Sequence, residues 1–195
     1  HIHYVSPAGN PVYPYLSWAT AARDIQSAID AALPGHTVRV TNGTYSTGGL
    51  AIYGAMLNRI AITNAVTVES VNGPSSTVIT GQAEPPTRCA YVGNGALLAG
   101  FTLSGGSTRS DGDETHERCG GGGWGEASAV VSNCVISGGF AASAGGGAKG
   151  GLLVDCLLSG NHAGAAGGGA FSATLWNCRV LNNAADRVGG GGTMG

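Results

Sequence analysis

Charge is scarce in this chain. Only 10% of its 195 residues are Asp, Glu, Lys or Arg, the formal net charge is −2, and lysine occurs once, at Lys149. There is thus no basic field to gather nucleic acid or an anionic membrane surface. No run of 18 apolar residues occurs, so no helical membrane span is expected. Aromatic residues make up only 6%. The sequence opens at His1 with neither methionine nor signal peptide, and the expectation is a mature or trimmed export product, extracellular or on the cell surface. Five cysteines, an odd number, do not by themselves make a disulfide framework.

What is abundant is glycine, 36 residues, and it comes in rhythm. Cys134, Cys156 and Cys178 recur every 22 residues inside VVSNCVISG, LLVDCLLSG and TLWNCRVLN. The segments AGGGAKG, AGGGAFS and VGGGGTM, beginning at positions 144, 166 and 188, share that period, as do Asn161 and Asn183. Several columns with one short period mean stacked coils. Coils this short and glycine-rich cannot be helix pairs. The fold class expected is all-β, a right-handed parallel β-helix of about 22 residues per regular coil, in which each strand pairs with its copies roughly 4.8 Å away.

Alternation along CVI, CLL and CRV points the three cysteines inward with Ile136, Leu158 and Val180, so a buried ladder of small soft groups is expected. Asn161 and Asn183 suit a side-chain amide ladder at a corner. Gly145, Gly167 and Gly189 open the triple-glycine corners, where positive φ or close backbone approach is required. A phosphate-binding loop does not fit, because no GxxxxGK[ST] and no strand–GxGxxG–helix unit is present. Phe101 and Leu103 align with Cys134 and Ile136 one enlarged repeat earlier, so the solenoid begins before its obvious repeats.

Residues 1–36 read differently, as a strand in HIHYVSP and a capping helix over SWATAARDIQSAIDAAL. Ser17 serves as the expected N-cap, Ala22, Ile25, Ile29 and Ala32 share one face, and Pro34 and Gly35 end the helix. Such a helix would cover the first coil of the solenoid at 37–195, whose regular repeats run from about 120 without a C-terminal cap. The whole is one domain. The series YVSPAGN, SWATAARDIQSAIDAA, GHTVRVTNGTYS, AITNAVTVESVNGPSSTVITG, GFTLSGG and the GGGA and NC repeats resembles secreted bacterial right-handed β-helix proteins. These are the pectate-lyase-like superfamily, in particular its polymorphic outer-membrane-protein-like or choice-of-anchor group. The resemblance implies a surface module for display, adhesion or envelope structure, often without activity.

Catalytic residues do not stand out. A hydrolase needs paired carboxylates, whereas Asp155 has only Asn133 and Asn177 as its repeat equivalents. A lyase needs a base and a cation, and Lys149, Arg179 and Arg187 lack clustered carboxylates. The insertion between Gly106 and Gly120 holds six of the chain's 20 charged residues. There Asp111, Asp113, Glu114 and Glu117 offer oxygen ligands for Ca²⁺, with a solvated loop as the plainer reading. Cys89 and Cys119 either form a disulfide or stay as two further thiols. His1 and His3 are able to take up a metal opportunistically. Aromatic rows that would stack on sugars do not line up at the 22-residue offset, since Phe171 falls on Lys149 and Trp176 on Val154.

Two functions follow. The first is a noncatalytic extracellular structural or adhesive module, self-assembling end to end into filaments through a homo-oligomeric contact at the uncovered coil end. The second is a carbohydrate-active enzyme or glycan-binding β-helix.

Overall fold

The computed structural model describes residues 1–188 and the backbone of Thr193–Met194. Three parallel sheets wrap one core. The first runs from β1 (Ile2–Val5) through β2 (Thr37–Val40), Thr67–Ser70, Leu97–Ala99, Val130–Ser132 and Leu152–Val154 to Thr174–Trp176. The second stacks Gly43–Tyr45, Thr77–Thr80, Thr102–Ser104, Val135–Ser137, Leu157–Ser159 and Arg179–Leu181. The third joins Leu57–Ile62, Thr87–Val92, Gly123–Gly125, Ala148–Lys149, Ala170–Phe171 and Thr193–Met194, with Leu50–Ala51 added antiparallel at one edge. The chain is a parallel β-helix.

Inward residues of each sheet stack by type. Val38, Val68, Leu98 and Leu153 in the first sheet, and Ile79, Leu103, Ile136 and Leu158 in the second, are each at most 1% exposed. At about 25 cal/mol per Å² of buried apolar surface, such columns supply most of the folding drive. The thiols extend the core: Cys134 and Cys156 are buried, and the Cys156 amide donates to Cys178 Sγ across 22 residues at 3.4 Å. Phe101 occupies the same column one larger coil earlier, its amide donating to Cys134 Sγ across 33 residues.

Corners are built by polar residues matched to the turn. Asn133, Asp155 and Asn177, immediately before the cysteines, adopt left-handed φ of 47°, 53° and 51°, which short polar side chains tolerate. Asn161 is 1% exposed; its Nδ2 donates to Asn183 Oδ1 at 2.8 Å and to the Ile136 carbonyl at 2.9 Å. Asn183 repeats the pattern to Leu158. Gly145 and Gly167 have φ of +68° and +59°. Gly146 is required for space, since a Cβ there would lie 2.4 Å from the His162 carbonyl oxygen. Gly189 lies outside the described residues.

The capping segment departs from the expected single helix. Trp18–Thr20 is a 3₁₀ turn, in which the Ser17 amide donates to Thr20 Oγ1, and α1 covers only Ile25–Ala31. Between them Ala21 is extended and Ala22 bridges β1 through Ser6 N to Ala22 O and Ala22 N to Tyr4 O. Pairing with β1 outweighs helix propensity there. Asp24, not Ser17, caps α1, accepting from Ser27 N at 2.8 Å. Ile25, Ala28 and Ile29 close the core, and β1 pairs in parallel with β2, so the first strand is already a rung of the solenoid. Across the edge of the third sheet, Gln26 Oε1 accepts from Ala61 N at 2.8 Å while its Nε2 donates to Ala61 O. No described helix is long and apolar enough to cross a membrane.

Candidate functional site

The insertion after Gly106 is a buttress rather than a metal loop. Arg88, 1% exposed, donates to the carbonyls of His116, Cys119 and Gly120 and to Asn58 Oδ1, all at 2.7–2.8 Å. Burial pushes its pKa down from 12.5 to about 9, so it remains a cation at neutral pH, held by carbonyl dipoles without a carboxylate. Glu117 ties the insertion to the 52–56 loop: Oε1 accepts from Ala55 N and Oε2 from Asp113 N. These backbone donors hold its pKa below the usual carboxylate range.

The four carboxylates expected to hold Ca²⁺ are therefore occupied separately. Asp111 pairs with Arg109 at 2.8 Å, Asp113 accepts from His116, Glu114 accepts from Ser143, and Glu117 is bound as above. Among the described residues no group of three His, Cys, Asp or Glu side chains converges to hold a metal ion. His3 is buried against the Pro14 carbonyl and His36 Nδ1, while the His1 ring packs edge-on against His36. Cys89 and Cys119 are free thiols, not a disulfide. The reason is register: Cys89 stands one residue before Ala90, which pairs with Gly123, so Cys119 falls outside its rung. Cys89 Sγ turns to the Ser104 carbonyl and Cys119 Sγ to that of Glu114. Burial pushes the Cys89 thiol up to about 12, leaving it unreactive.

The outward face of the third sheet corrects the expectation that aromatic rows fail to align. Ala61, Tyr91, Trp124, Lys149 and Phe171 pair in one continuous row. The 22-residue offset missed it because Trp124 stands 25 residues before Lys149. Tyr91 stacks on Trp124 with ring centroids 5.7 Å apart, and Tyr53 and His116 pack over both from the loop and the insertion. Trp124 Nε1 donates to the Thr115 carbonyl. Lys149 Nζ lies 5.8 Å from the ring centroids of both Trp124 and Phe171.

Beside this row opens a cleft of about 340 Å³, lined by Trp124, Glu126, Lys149, Gly150, Ser172 and Thr174 among others. Glu126 enters it as an oriented carboxylate: the hydroxyls of Tyr53 and Tyr91 both donate to Oε1 at 2.8 Å. Burial and the adjacent Glu126 raise the Tyr91 pKa, and the bond to Glu126 raises that of Tyr53, so both stay protonated donors. Neither Tyr53, Tyr91 nor Glu126 stands out in the sequence. The available signal was the residue after GGG[GA], which is Trp124, Lys149 and Phe171 in turn. A second cleft, about 370 Å³, carries Glu84, Ser107, Thr108, Ser110 and the exposed Phe140, with no cation in its lining.

No family model and no curated protein matches this sequence. Among solved structures, the crystal structure of pectate lyase Pel9A is similar with a TM-score of 0.58 and 14% identity, over 96% of this chain. The chain spans about half of that protein, 49% of its length. At that identity the likeness is one of fold, and the chain shares the parallel β-helix of a pectate lyase.

Proposed function

We propose that this chain is a noncatalytic, exported surface module that holds a polysaccharide along its side. One observation carries the reading. A solvent-open lateral cleft combines aromatic rings with one fixed carboxylate and the chain's sole lysine, the mixture of stacking surface and directional polar groups by which sugars are held. The noncatalytic part rests on the lining: Glu126 is its one carboxylate among the described residues, whereas glycoside hydrolysis uses two about 5–9.5 Å apart. The bound phenols Tyr53 and Tyr91 are donors with raised pKa, poor proton acceptors.

Affinity electrophoresis against neutral, acidic and amine-bearing polysaccharides tests the proposal. The wild-type protein is expected to be retarded by at least one of them, without releasing sugar or unsaturated product. Lys149→Ala is expected to remove the retardation at unchanged melting temperature. A folded wild-type protein that migrates freely through every gel refutes the reading.

A second reading, contact between coil ends, draws on the last described coil. Its inward Leu175, Cys178 and Val180 are only half-buried, while Leu153, Cys156 and Leu158 one coil earlier are at most 3% exposed. A further coil of the same protein or a second copy would cover them. Sedimentation velocity across a range of concentrations distinguishes the two, since only association between copies depends on concentration.

A further inference from the structure

The charges of the lateral cleft define which polysaccharide fits. Tyr53 and Tyr91 occupy Glu126 Oε1, and Oε2 accepts no hydrogen bond among the described residues. Lys149 lines the same cleft, forms no ion pair with Glu126, and holds its ammonium beside the Trp124 and Phe171 rings. One wall thus presents a group that only accepts hydrogen bonds, the other a group that only donates. Gly150 and Gly151 leave space at the cleft, and Ser172 and Thr174 complete its lining.

Three ligand chemistries meet this pair differently. A uronate brings its carboxylate to Glu126, and an amino sugar brings its ammonium to Lys149; each meets a like charge where water is partly excluded. A hydroxyl donates and accepts at once, so neighbouring hydroxyls of one ring satisfy both walls, and its C–H face stacks on the aromatic row. Resting on the glycan-binding reading above, we infer that the cleft takes an uncharged polysaccharide. It turns away polyanionic and polycationic ones, with Glu126 as the residue that sets the preference. Tyr53 and Tyr91 are positioning residues that fix the carboxylate.

The test measures binding of the full chain to galactomannan, xyloglucan, polygalacturonate and chitosan at low and high salt. The wild-type protein is expected to prefer the neutral polymers by about tenfold or more, the discrimination one charged contact supplies. In Glu126→Gln, neutral binding falls and polygalacturonate binding rises at low salt, because the repelling charge is gone. Tyr53→Phe is expected to lower the neutral-over-acidic ratio at unchanged melting temperature, which a packing role alone does not do. Polygalacturonate or chitosan binding at least as tight as the neutral polymers in wild type overturns the inference and leaves glycan binding standing. No binding of any polymer to the folded wild-type chain overturns both.

Discussion

The coils before and after Gly125 have the same cross-section but put their residues to different use. After it, equivalent residues return every 22 positions, and little chain remains once the strands and corners are made. Before it the return takes 30 or 33 residues, as from Arg39 to Glu69 and from Phe101 to Cys134. The surplus leaves the coil as the 50–56 loop and the 107–119 insertion, and both come to rest on the outward face at Tyr91 and Trp124. A solenoid of this kind acquires a lateral site by lengthening coils over an unchanged core. Long loops cost little entropy to close, so the addition is cheap.

The sharpest way to break this division is to remove the cation that holds the insertion down. Arg88→Met leaves the carbonyls of His116, Cys119 and Gly120 without their buried donor. Urea unfolding should show a loss of about 3–5 kcal/mol. In the regular half, the largest cost should come from backbone crowding. Gly146→Ala forces a Cβ onto the His162 and Gly168 carbonyl oxygens and should cost about 2–4 kcal/mol. Gly160→Ala, at φ +64° but with nothing within 4 Å, should cost only about 1–2 kcal/mol for the left-handed backbone.

The smallest effect is local and pH-dependent. Glu117 has its folded pKa lowered by the Asp113 and Ala55 amides, so its stabilisation is present above the usual carboxylate range and is lost as the pH falls through the folded value. Hydrogen exchange should therefore show residues 107–119 and 52–56 opening at acid pH while amides of the 130–185 coils stay protected. Equal loss of protection in both halves would mean that the insertion is an integral part of the core.

How much the sequence disclosed follows the same division. Where coils repeat, one column informs the next, and Cys134, Cys156, Asn161 and Gly145 were identifiable from period and alternation alone. The third sheet hid its row because one coil is three residues longer than its neighbours, which slides Trp124 off Lys149 at a fixed offset. Tyr53, Tyr91 and Glu126 come from three different coils and meet only through loop paths that no period encodes. The Ser17 helix was overestimated because propensity does not register an edge strand waiting at Tyr4 and Ser6. The acidic insertion invited a cation, yet its oxygens answer backbone amides and arginines supplied from far along the chain.

Gln26 has a consequence for how such a stack can extend. Its carboxamide offers one acceptor and one donor to Ala61, imitating a single residue of a neighbouring strand where none is present. With Leu50–Ala51 doing the same beside it, incoming β-structure finds that rim already satisfied. The molecule is consequently polar in the sense that a growing rod is polar: recruitment of further rungs is blocked on the helix side.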